Sequence, residues 1–109
     1  MSIQWKPLVE GTLLTATADL YYTATGANVT ATITQASLYN KTAAAVDVFL
    51  YLVPNGGSAS DATTVVKKNV AAGASEPVPE LVDHKLANGG MIYAKGLDVA
   101  LTVSGAEHS

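Results

Sequence analysis

Apolar positions recur along this chain with a period of two, in short runs separated by glycine, proline, asparagine and aspartate. The clearest run is 45–53, where Val46, Val48, Leu50 and Leu52 fall on one face and Asp47, Phe49, Tyr51 and Val53 on the other. The first face is aliphatic throughout and the second is half aromatic. Such a pattern predicts a strand covered on both sides and central in its sheet. Upstream, 27–39 alternates Val29, Ala31 and Ile33 against Thr30, Thr32 and Thr34, and after Gln35 the apolar set moves to Ala36 and Leu38. A change of parity of that kind predicts a β-bulge, or a strand bending between two sheets. Asn40, Lys41 and Thr42 supply turn chemistry, so 38–53 is expected to form a hairpin.

The same pattern places strands at 63–70, 91–95 and 98–104, the last with Leu97, Val99, Leu101 and Val103 on one face. Turns are expected at 71–74 and at Asn88-Gly89-Gly90. Segment 76–82 contains Pro77 and Pro79, which remove two backbone donors and confine it to an edge or an irregular extension. A helical turn is expected at 83–86. Near the start, 13–22 holds a strand, and 2–9, with Trp5 beside Pro7, is a further strand or an extended arm. Helical periodicity is missing from every ten-residue stretch. The expectation is an all-β single domain over 1–109, an antiparallel β-sandwich or jelly roll of about eight short strands with 1–10 as an extended N-terminal arm.

Composition narrows the function classes. At 109 residues the chain can bury one core. It has no cysteine, which excludes disulfides and thiolate chemistry. Residues 1–11 lack the apolar core of a signal peptide, and no apolar run is long enough to span a membrane, because Asp47 interrupts the longest. The expectation is a protein made in the cytoplasm with no membrane partner. Charged residues make up 14% of the chain, against roughly 25% in ordinary soluble proteins. All six basic residues are lysines and the net charge is −3. Without arginine forks, and with Lys67-Lys68 as the sole basic cluster, nucleic acid is not an expected partner. Low charge also suits a surface covered by partners, since interface cores are depleted in Lys, Glu and Asp.

Tests for catalytic or ligand chemistry come out weak. The stretch Phe49-Leu-Tyr-Leu-Val-Pro-Asn-Gly-Gly-Ser-Ala-Ser-Asp-Ala62 sets a hydrophobic run against a glycine-rich loop. A phosphate-cradling loop would lead into a helix. Here a strand-like Thr-Thr-Val-Val-Lys-Lys follows, so the loop reads as a hairpin corner with glycine at positive φ. His84 has no sequence-evident triad partner and His108 is the penultimate residue. Asp19, Asp61, Asp83 and Asp98 are scattered singly, and Glu76 and Glu80 lie on one proline-flanked segment. No catalytic residue, cofactor or metal is therefore expected, and the chain reads as non-enzymatic. Tyr21, Tyr22, Tyr39, Tyr51 and Tyr93 supply the material for an aromatic sugar-binding platform.

Several segments resemble those of small virion proteins of tailed bacteriophages and prophages: Ser37-Leu38-Tyr39-Asn40, the Leu52-Val53-Pro54-Asn55-Gly56-Gly57-Ser58 piece, 86–90 before Ile92-Tyr93, and the closing Ser104-Gly105-Ala106-Glu107. The resemblance covers roughly 36–107. It implies a non-enzymatic β-sandwich component of the virion. The leading form is a capsid decoration or cement protein on the outer capsid surface. Its implied partner is the major capsid protein, with self-association as a dimer or trimer. A tail-associated component, or a host-surface carbohydrate-binding module, is the alternative. The resemblance carries no defining contact residues. The expected partner-binding residues come from exposure and composition instead: Ile3, Trp5 and Pro7 in the N-terminal segment, and Pro54, Asn55, Gly56, Gly57, Ser58 and Asp61 in the loop.

Overall fold

A computed structural model describes residues 3–108. Its strands, in chain order, are β1 (Ile3–Leu13), β2 (Asp19–Thr23), β3 (Thr30–Asn40), β4 (Val46–Val53), β5 (Thr64–Val70), β6 (Ser75–Pro77), β7 (Lys85–Leu86), β8 (Met91–Lys95) and β9 (Val99–His108). They form two sheets. The first has the order β1-β9-β3-β6, with β7 also on β3, and the second has the order β2-β8-β4-β5. Every pairing is antiparallel. Two antiparallel sheets facing each other across one core make the expected β-sandwich.

The core lies between the sheets. Ile33, Leu38, Val99, Leu101 and Val103 enter it from the first sheet, and Val48, Leu50, Val66, Val70, Ile92 and Ala94 from the second. Period two accounts for this directly, since alternate residues of each strand point inward. β4 takes the central place expected of it, between β8 and β5. Its second face is also partly covered, with Tyr51 and Val53 buried although they point away from the main core. The parity change after Gln35 is a bulge: the β3–β9 register shifts between Ile33 and Gln35. The proline-bearing segment lies at an edge as expected, with β6 pairing Ser37, Leu38 and Tyr39, followed by a 3-10 turn over Pro79–Leu81.

Three expectations are corrected. Segment 38–53 is not a hairpin, because β3 belongs to the first sheet and β4 to the second, and 41–45 carries the chain across. The pivot is Asn40, which is fully buried. Its amide donates to the Ala44 and Val70 carbonyls at 2.8 and 2.9 Å, and its Oδ1 accepts from the Thr42 amide at 2.9 Å and the Thr42 hydroxyl at 2.7 Å. Segment 83–86 is not a helical turn; it holds the short strand β7 against Ala31 and Thr32. Segment 13–22 breaks at 14–18, where Leu14 turns into the core and Thr15 and Thr17 hydrogen-bond Asp19. The N-terminal segment resolves the choice between strand and arm. From Ile3 onward it is an edge strand paired with β9, so the described part of 1–10 is not a free arm.

Candidate functional site

The first sheet is long, with β1 and β3 of eleven residues each and β9 of ten, and the molecule measures 45 × 25 × 19 Å. One end of this elongated body gathers the start of β1, the start of β3, the end of β4 and the end of β9. Register fixes the arrangement: Ile3 pairs with His108 and Trp5 with Ala106, while Thr30 and Thr32 take the other side of the same two residues. The two segments expected to bind partners therefore lie toward the same end, one on the edge strand β1 and the other beyond β7 on the far side of the sheet. Ile3, Trp5 and Pro7 are exposed on the edge strand, Trp5 at 70% and Ile3 at 51%. Pro54, Asn55, Gly56, Gly57, Ser58 and Asp61 are exposed on the loop joining β4 to β5.

That loop is the hairpin corner read from its sequence. Gly56 sits at φ +81°, which a residue with a Cβ adopts only under strain, and the Gly57 amide donates to the Pro54 carbonyl at 2.9 Å. A 3-10 turn over Asp61–Thr63 leads into β5, with the Thr63 hydroxyl accepting from the Ser60 amide at 2.9 Å. Between loop and edge strand, β7 borders two openings. The larger, of about 490 Å³, is lined by Thr30, Thr32, Leu86, Ala87 and His108 among others. The smaller, of about 240 Å³, includes Val53 and Pro54.

Under this end lies a polar contact across the core that links the two sheets. Glu107, on the inward side of β9, accepts a hydrogen bond from the Tyr22 hydroxyl of β2 and pairs with Lys6 of β1 at 3.2 Å. The Tyr22 bond, helped by Lys6, holds the Glu107 carboxyl below its ordinary range against the opposing effect of burial. Burial, then the bond to Glu107 and its negative charge, push the Tyr22 phenol up. Sequence reasoning did not find this trio, because its members lie in three strands and 85 residues separate Tyr22 from Glu107.

The tyrosines do not form one platform. Tyr39 lies exposed on the outer face of the first sheet, Tyr22 reaches across the core to Glu107, and Tyr51 and Tyr93 are cross-strand neighbours on the outer face of the second. His84 is exposed, and His108 Nε2 lies 3.2 Å from the Thr32 hydroxyl. Among the described residues no three His, Asp or Glu side chains gather as a metal-binding group. No helix among them is long and apolar enough to cross a membrane. The basic doublet splits between faces. Lys68 pairs with Glu80 and donates to the Pro77 carbonyl, both at 3.2 Å, while Lys67 lies with its ammonium 5.5 Å from the Phe49 ring centroid.

No protein-family model matches the sequence, and no curated protein does. Among solved structures, the chain is similar to one in the structure of infectious bursal disease virus Gx strain, at 11% identity and a TM-score of 0.37. The match covers 97% of this chain and 31% of that one, so this chain spans less than a third of that neighbour's length.

Proposed function

We propose that this protein is a non-enzymatic structural component of a tailed-bacteriophage virion, a decoration protein that bridges neighbouring major capsid subunits on the outer shell. The observation carrying this reading is the edge strand that exposes a tryptophan at 70% and an isoleucine at about half, at the same end of the sandwich as an exposed glycine-rich loop. Exposed apolar anchors with a polar rim are what a protein–protein contact uses, and tryptophan is prominent among residues that dominate binding energy. The likeness of 36–107 to small virion proteins supplies the assembly. Repetition on a lattice turns a modest contact into firm attachment, because each further engagement is intramolecular. Binding the assembled shell alone stabilises it, as a ligand stabilises the native state it selects.

The test is heating of particles with and without the protein. Particles carrying it should release their genome at a higher temperature, in a copy number that follows that of the major capsid subunit. Equal release temperatures would sink the cement role. A copy number set by the tail would move the protein to the tail.

A further inference from the structure

The outer face of the second sheet carries a cluster that points away from the core. Lys95 of β8, Phe49 of β4 and Lys67 of β5 stand opposite one another in a single cross-strand row. The two ammonium groups lie 4.5 and 5.5 Å from the centroid of the same phenyl ring. Each cation is attracted by the ring, but the two repel each other, and the arrangement concentrates two of the chain's six lysines at one spot. Among the described residues the ion pairs are Lys6–Glu107 and Lys68–Glu80, so neither Lys67 nor Lys95 has a carboxylate partner. Asp47, two residues before Phe49 on the same face, is held by the Asn69 amide at 2.8 Å. The next row is apolar: Tyr51 pairs with Tyr93, and Tyr93 with Leu20, which is 48% exposed.

We propose that this row is a second docking surface, and that its occupant is a carboxylate-bearing patch on a neighbouring protein subunit. Charge complementarity selects the occupant. The protein as a whole is acidic, at −3, so an acidic partner is best received where two unpaired positive charges are gathered at one spot. The flanking Tyr93 and Leu20 offer apolar contact that phosphate does not use. Nucleic acid is disfavoured because two lysines without an arginine neutralise too few phosphates for firm binding. The surface rests on the decoration reading and deepens it: it adds the outer flat of the second sheet, on the opposite side of the sandwich from Trp5, so that a bridging protein contacts a different neighbour on each side.

The experiment uses DNA-free shells lacking the protein and measures binding of the full chain at low and high salt. Wild type is compared with Lys67→Gln/Lys95→Gln and with each single variant, all checked for an unchanged melting curve. The double variant should bind about tenfold more weakly at low salt, with a flatter dependence on salt, and each single variant should fall between. If wild type binds and the double variant matches it at every salt concentration, the surface is wrong while the decoration reading stands. If wild type does not bind shells at all, both fall. Lysine-dependent binding to duplex DNA but not to DNA-free shells would overturn the carboxylate partner.

Discussion

At the scale of single residues, Glu107 is a group on which pH acts through a contact that joins the two sheets. Its carboxyl sits below its ordinary value of 4.5 in the folded protein, chiefly because the Tyr22 hydroxyl donates to it and secondarily because of Lys6. A carboxyl lowered on folding contributes stability that is present above the unfolded value and is lost as pH falls through the folded one. The Tyr22 phenol is raised from its ordinary 10.0, so its contribution is present below that value and is lost as pH rises through the folded one. Between those limits the contact is intact. Tyr22→Phe should cost about 1.5–3 kcal/mol at neutral pH, the worth of a hydrogen bond to a charged group. It should also flatten the fall in stability below the ordinary carboxyl value, since the main cause of the lowered Glu107 is gone. Urea midpoints measured across the acid range for both proteins check this. Parallel curves would mean that Glu107 does not carry the pH dependence.

At the scale of elements, the outcome separates what a local pattern reveals from what it conceals. The strand at β4 and the bulge at Gln35 were legible, because both are written as a period of two and a break in it. The loop after Val53 was legible for the same reason: strand pattern on both sides left a corner as its only role. The hairpin at 38–53 was misread because Asn40-Lys41-Thr42 has turn chemistry whichever sheet the chain enters next. What decides is the Asn40 amide reaching Val70, 30 residues away, and no local pattern records that. β7, at two residues, is too short to show any period. Site residues followed the same division. The exposed loop was readable from its glycines, whereas the Lys95–Phe49–Lys67 row exists only once three strands are in register. Asn40→Ala should therefore be among the costlier single changes, at about 2–3 kcal/mol, because it leaves two carbonyls and an amide at the crossing without their partner. Asn40→Asp should be costly as well, since a carboxylate accepts where the amide must donate. Thermal or urea unfolding of the two variants measures both, and a loss within the range of ordinary surface changes would deny Asn40 its place as the pivot.

At the scale of the whole molecule, the proposed decoration role puts stability and attachment on different surfaces, which mutation can separate. The first sheet ends at β1, an edge that would offer its backbone to any passing strand. Its later half is defended by Pro7 and by register shifts between Pro7 and Val9 and between Val9 and Thr12. The stretch Ile3–Lys6 carries neither device and pairs regularly with 105–108. There the side chains turned outward are Ile3 and Trp5, and they contribute little to the core because they remain more than half exposed. Trp5→Ala should then change folding stability by less than about 0.5 kcal/mol. Attachment should suffer far more, by about 2 kcal/mol or roughly thirtyfold, the loss typical of an anchoring tryptophan at an interface. Unfolding of the isolated protein and binding to shells, measured on the same variant, give the two numbers. A large loss of stability with unchanged attachment would reverse the assignment, making Trp5 part of the fold and leaving the loop and the lysine row to hold the partner.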